Sequence, residues 1–158
     1  METDDRLDAI DRRILQALQA QGRSTYDELA ARVGLSASAT LRRVKRLEES
    51  GVIAGYVALV APERVGLGLT AYINVRLAKH SEQRSPIDAF AAAVQAWPEV
   101  VECAALTGEM DYLLRVLVRD MSHYSSFLMD SLLKHPSVQD CKTSFMLRRP
   151  KGTTVVPV

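Results

Sequence analysis

Apolar residues recur at helical spacing through the first fifty positions and change to alternating spacing after them. Leu7, Ile10, Ile14 and Leu18 line one face of a first helix, with Asp8 and Asp11 near its start, where the helix dipole favours acids. Gln21-Gly22-Arg23 stops that helix. Thr25-Tyr26-Asp27-Glu28 reads as a capping box, and the short helix it opens carries Leu29, Ala30 and Val33 on one side. Gly34 ends it, Leu35 plugs the turn, and Ser36 caps a third helix that runs through Leu41, Val44 and Leu47 to Ser50-Gly51. Helix, helix, tight glycine turn, helix is the minimal helix-turn-helix arrangement.

From Gly55 the pattern is different. Gly55 to Val60 predicts a strand, followed by a turn at Pro62 and a glycine-rich stretch, Val65 to Leu69. Ala71 to Leu77 alternates as a half-buried strand, and Pro86 to Trp97 is helical, with Ile87, Phe90, Val94 and Trp97 on one face. Val100 to Leu106 and Tyr112 to Val118 predict two strands around the connection Thr107-Gly108-Glu109-Met110-Asp111. A helix capped by Ser122 carries Tyr124, Phe127, Leu128, Leu132 and Leu133, and Val138 to Leu147 is a last strand. The order β-α-β-β-α-β is that of a ferredoxin-like domain, which makes the fold class α+β. The expected divisions are a helix-turn-helix domain over 1–54, a linker strand and hinge over 55–69, a ferredoxin-like domain over 70–150, and a tail over 151–158.

Composition narrows the choices without deciding among them. The chain has 158 residues, 47% apolar and 25% charged, with a net charge of +1. That is a globular composition with no global basicity, so any nucleic-acid signal must be local. Cys103 and Cys141 have no metal-ligand spacing and read as reduced strand residues. The acidic start METDDRLDAIDRR lacks a hydrophobic signal core, and no apolar run is long enough to cross a bilayer. These features imply a cytoplasmic protein with no membrane partner, no metal and no cofactor. His80, His123 and His135 read as structural or exposed, and Trp97 as core.

The local basic signal lies on the third helix. Arg42, Arg43, Lys45 and Arg46 cluster there, with no acid between Ser36 and Leu47. Turning about 100° per residue from Val44 puts Thr40, Leu41 and Leu47 toward the core. Ser38, Ala39, Arg42 and Arg46 then face away, with Arg43 and Lys45 on the flanks. The N-terminal residues of a recognition helix lie nearest the base edges. Ser36, Ala37, Ser38 and Arg42 are therefore candidates for base or near-base contacts, and Arg43, Lys45 and Arg46 for phosphate contacts, which bind without reading sequence. The competing interpretation is a solvated charged face, which acids interspersed at i,i+4 would support. Glu48 and Glu49 follow only after the basic cluster.

Leu7 through Leu15, Arg43 through Glu48, Gly51-Val52-Ile53 and Gly55-Tyr56 together resemble the start of the Lrp/AsnC, or feast/famine, family of prokaryotic transcription regulators. Gly108-Glu109-Met110-Asp111-Tyr112 resembles that family's glycine-x-x-aspartate turn, with Asp120-Met121-Ser122 at the expected distance after it. The resemblance spans residues 7 to about 148. It implies a winged helix-turn-helix joined to a ferredoxin-like domain, and homodimers built through the C-terminal sheets and assembled into tetramers, octamers or larger rings. It also implies a double-stranded DNA partner and an amino-acid effector held between dimers near the turn. Many relatives carry proline where this chain has Ala37; proline is optional in the first helical turn, so the difference bears on cap stability.

On these terms Thr107, Gly108, Glu109, Met110, Asp111, Met121 and Ser122 form the candidate effector set. Glycine supplies a positive φ at the turn without strain, and successive N–H groups can bind a carboxylate. Asp111 or Glu109 can pair with an ammonium group, Thr107 adds a hydroxyl, and the helix start at Ser122 adds donors. Tyr112 reads as a strand anchor. An ordinary hairpin would use the same glycine and aspartate without any ligand. Two other functions fit the residues: a low-specificity DNA-coating architectural protein, and an enzyme on the ferredoxin-like fold. The second lacks a nucleophile–base pair, a metal cluster or a phosphate loop in the sequence.

Overall fold

The computed structural model describes residues 7–78 and 85–158, so His80 lies outside the described residues. Two compact units emerge: one takes the chain up to Ala58 together with Lys151–Val158, the other Leu59–Pro150.

In the first unit, α1 (Ala9–Ala20), α2 (Tyr26–Val33) and α3 (Ala37–Glu49) each begin at a side-chain cap. Asp8 Oδ1 accepts from the Asp11 N–H at 2.7 Å, and Asp11 Oδ2 accepts from the Asp8 N–H at 3.1 Å, a reciprocal box that satisfies two orphan donors. Thr25 and Glu28 do the same for α2. Gly34, at φ 74°, takes the left-handed turn that lets α3 leave in a new direction. Ser36 then caps α3 by accepting from the Ala39 N–H at 3.3 Å. Ile14, Leu15, Leu29, Val33, Val44 and Leu47 form the core. Thr40 is fully buried among them, and its hydroxyl donates to the Ser36 carbonyl at 3.0 Å, so its polar atom is satisfied.

The strand expected over Gly55–Val60 does not form. Nothing among the described residues pairs with this segment, and Val57, Leu59 and Val60 are exposed. A β-branched run supplies propensity, but a strand exists only when a ladder satisfies its backbone. Tyr56 is the fixed point here. Its hydroxyl donates to Glu48 Oε1 at 2.9 Å, and burial, then this carboxylate, pushes its pKa up to about 12.

The second unit contains β1 (Leu69–Leu77), α4 (Pro86–Gln95), β2 (Val100–Ala105), β3 (Tyr112–Val118), α5 (Met121–Phe127) and β4 (Val138–Phe145). The sheet order is β2-β3-β1-β4, with every neighbouring pair antiparallel. Each βαβ half therefore encloses a strand of the other half, the split arrangement expected from the element order. Ala71, Ile73, Val75 and Leu77 of β1 and Leu114, Val116 and Val118 of β3 share one face and pack with Phe90, Val94, Tyr124, Phe127 and Leu132. Phe90 lies between Trp97, Tyr112 and His135, with ring centroids 5.9, 5.1 and 5.7 Å away. The opposite face, with Tyr72, Asn74, Arg76, Leu113, Arg115 and Leu117, is half-buried and carries no helix.

One boundary differs from expectation. The last helix is capped by Asp120, whose carboxylate accepts from the His123 N–H at 2.8 Å, and Ser122 lies within the helix. After Phe127 the chain makes a single π-helical turn, Leu128–Leu132, rather than continuing as a regular helix.

Candidate DNA interface and effector site

The four basic residues of α3 fall into two pairs. Arg43 Nη1 reaches Asp8 Oδ2 at 2.7 Å and Asp11 Oδ1 at 2.8 Å, while Arg46 Nη2 reaches Asp11 Oδ2 at 2.5 Å. Asp11 is 1% exposed, so both of its oxygens are occupied by α3 guanidiniums in a water-poor site. Asp8 is held at a pKa of about 2, chiefly by the hydrogen bond from the Asp11 N–H and then by Arg43. The same carboxylates raise Arg43 above its ordinary value. Arg43 and Arg46, expected at phosphates from the sequence, also join α3 to α1 through these carboxylates. The buried side chain of Asp11 would have no cation without them. Arg42 and Lys45 have no carboxylate partner among the described residues and are exposed. With Ser38, Leu41, Arg46 and Glu49 they line a shallow hollow of about 390 Å³. Ser36 is occupied as a cap, with its hydroxyl 3.2 Å from that of Ser38, and Ala37 is half-buried. Ser38, Arg42 and Lys45 are on the open side without a carboxylate partner among the described residues, beside the exposed Arg46 and Glu49.

In the second unit the seven effector candidates are not brought together. Thr107 through Asp111 lie beyond the N-terminal end of β3, while Met121 and Ser122 lie beyond its C-terminal end. Seven strand residues at about 3.4 Å each separate the two groups by roughly 20 Å. At the turn, Gly108 sits at φ 124°, a backbone state that favours glycine. Leu106 N–H donates to the Asp111 carbonyl at 2.8 Å and Asp111 N–H donates to Val75 O at 2.9 Å, which pins both ends of the loop. The N–H groups of Thr107, Gly108, Glu109 and Met110 take no partner among the described residues.

Asp111 also has a structural task that its sequence position did not reveal. Its Oδ2 accepts from Leu77 N–H at 2.7 Å, where the β1–β4 register shifts between Arg76 and Leu77. Glu109 pairs with Arg76 Nη2 at 2.9 Å, and Met110 Sδ lies 3.8 Å from the same nitrogen. Beside the turn is a hollow of about 320 Å³, lined by Leu77, Ala78, Pro86, Ile87, Ala105, Leu106, Asp111 and Tyr112. Of these only Asp111 and Tyr112 had a readable signal. The others are apolar positions that come together through strand register and the start of α4. His123 Nε2 lies 3.1 Å from Glu99, while its Nδ1 accepts from the Arg119 N–H at 3.3 Å, so this ring is held within the fold. Among the described residues no three His, Cys, Asp or Glu side chains gather to hold a metal, and no helix is long and apolar enough to cross a membrane.

A helix-turn-helix head with an open basic edge, joined in one chain to a split-βαβ domain with a small hollow, defines a DNA-binding regulator with a ligand-binding module. The profile of a winged helix-turn-helix DNA-binding domain matches residues 7–54, and that of the Lrp/AsnC ligand binding domain matches residues 70–156. The chain belongs to the Lrp/AsnC family of transcription regulators. A leucine-responsive regulatory protein from Rhizobium meliloti is 40% identical over 152 residues, 96% of each chain. The DNA-binding transcriptional activator DecR of Escherichia coli is 38% identical over 96% of this chain and 99% of its own. Among solved structures, a transcriptional regulator from Neisseria meningitidis in complex with L-Met superimposes with a TM-score of 0.92 at 49% identity, covering 96% of this chain and 97% of that one. A feast or famine regulatory protein from M. tuberculosis complexed with L-methionine gives 0.85 at 33% identity, covering 96% and 99%. The regulator reading thus holds over the enzyme alternative.

Proposed function

We propose that α3 reads double-stranded DNA through Ser38, Arg42 and Lys45, and that an amino acid bound beside the Gly108–Asp111 turn adjusts that binding. In this reading Arg43 and Arg46 hold α3 in place and make at most secondary contact with phosphate. Met121 and Ser122 take no part in the same intrachain pocket. The observation that carries the effector assignment is the hollow of about 320 Å³, whose walls are Leu77, Ile87, Ala105 and Leu106 and whose charged group is Asp111. Its volume suits a small ligand, and its lining combines apolar walls with one polar anchor. With Oδ2 on Leu77, the other oxygen of Asp111 is available to an ammonium group, and the unpartnered N–H groups of the turn suit a carboxylate. The apolar walls favour an aliphatic or thioether side chain. The L-methionine bound to the Neisseria and M. tuberculosis relatives supports that class.

The helix-free sheet face, with Tyr72, Leu113 and Leu117 half-buried beside Arg76 and Arg115, is suited to pairing with a second copy. Dimers built there, assembled further into tetramers or octamers in the cytoplasm, would present paired heads to half-sites about one helical turn apart. A thermal-shift screen of the twenty amino acids tests the effector assignment. Apolar amino acids such as methionine or leucine are expected to raise the melting temperature, through ligand binding to the native state alone. A screen in which none does contradicts it.

A further inference from the structure

We propose that residues 155–158 form an intrachain strap that docks along α1 and completes the core of the helix-turn-helix head. The Gln19 side-chain amide engages both backbone groups of Val156. Val156 N–H donates to Oε1 at 2.6 Å, and Nε2 donates to Val156 O at 3.0 Å. Gln16, one helical turn earlier and so on the same face, donates through Nε2 to Val158 O at 3.1 Å. Two glutamines on one helix face thereby satisfy an extended segment much as a strand edge would, with alternate residues gripped. Upstream, the Thr153 hydroxyl accepts from Val155 N–H at 3.0 Å at the start of the docked segment.

Only one strap side chain is used as an anchor. Val155 and Val156 are more than half exposed, while Val158 packs on the cluster of Ile14, Leu15 and their neighbours, with Ala17 and Leu18 beside it. The surface thus recognises an extended backbone followed two positions later by an apolar residue, which is the chemistry of a strand-like peptide site. The occupant is this chain's own last segment. The match to the Lrp/AsnC ligand binding domain runs through residue 156, yet Val156 is held by the head. The head is therefore tethered twice: through the residues that follow α3, and through those that follow β4. The inference does not depend on the effector assignment.

A full-length chain carrying Ala20→Cys and Val155→Cys, with Cys103 and Cys141 replaced by serine, leaves Gln16, Gln19 and Val158 intact. After both thiols are shown to react with a monofunctional maleimide, a short bis-maleimide is expected to give an adduct at the mass of one chain. A cross-link joining two chains would overturn the intrachain strap in favour of an exchanged one, and no cross-link would overturn docking altogether. Hydrogen exchange gives an independent measure. Val158→Asp and Gln19→Ala should each speed exchange of the α1 amides several-fold and leave β1 and β3 unchanged. Unaltered α1 exchange in both variants would also overturn the proposal.

Discussion

Among the described residues, the core cluster of the head holds six buried apolar side chains from three helices, whereas that of the second unit holds twelve, packed between a four-stranded sheet and its helices. With the smaller core, the head relies on polar joints: Asp11 holding two arginines, two capping boxes, and glutamines gripping the chain's last residues. The second unit has polar joints of its own, at Asp111, Arg76, Asp120 and His123, but Phe90, Trp97, Tyr112 and Phe127 fill its larger interior. The difference teaches how charge is allotted. Two of the arginines of α3 are tied into the packing of the head by Asp8 and Asp11, and only contact geometry, not spacing, distinguishes them from Arg42.

The largest expected effect lies in the larger core. Phe90→Ala removes a fully buried ring and should destabilise the second unit by about 3–5 kcal/mol. Trp97, the chain's single tryptophan, reports that unit alone, so its fluorescence transition should move to lower denaturant; an unmoved transition would break the comparison. Asp11→Ala should act on the head instead, costing about 2 kcal/mol, because it leaves two guanidiniums without their shared acceptor while solvent compensates part of the loss. Far-ultraviolet circular dichroism should record that shift with the Trp97 transition unchanged.

Smaller effects divide the basic residues of α3. Lys45→Ala should lower the slope of log affinity against log salt by about one unit for its lost phosphate contact, whereas Arg42→Ala should relax the preference at particular base pairs. Arg43→Ala should leave that slope nearly unchanged and lower the head's melting temperature. The reverse pattern would return Arg43 to the DNA surface. The smallest effect is acid sensitivity at Asp8. Its folded pKa lies below the ordinary aspartate value, at about 2, so its contribution is complete above that ordinary value and is lost as pH falls through about 2. Head stability should decline across that window, and Asp8→Asn should flatten the decline.

What was legible in the sequence was local. Thr25–Glu28, Gly34 and Ser36 each act on partners within four residues, and each takes the role its spacing suggested. The inward face of β1 was equally readable, because its alternation encodes it directly, whereas β3, apolar on both faces, could be read as a strand but not oriented. What escaped is non-local. Arg43 and Asp11 are 32 positions apart and Gln19 and Val156 are 137 apart, and no periodicity links them. The same holds for the hollow at Asp111, whose walls come from β1, α4, β2 and β3. Ser122 failed as a cap for a different reason: Asp120, two residues earlier, is an equally good capping residue, and strand β3 ends soon enough for it to act.

The central claim is that DNA binding by the head answers to an amino acid held at Asp111, and the most direct measurement is DNA affinity with and without that ligand. Asp111→Asn retains an oxygen to accept from Leu77 N–H but loses the charge that an ammonium group requires. Fluorescence anisotropy on an operator fragment, at fixed salt, would compare this variant with the unaltered chain in the presence of each amino acid that raises the melting temperature. The account predicts that the unaltered protein changes affinity or binding stoichiometry with ligand, while Asp111→Asn keeps the ligand-free affinity and loses the response. An Asp111→Asn variant that responds to the amino acid as fully as the unaltered chain would contradict it.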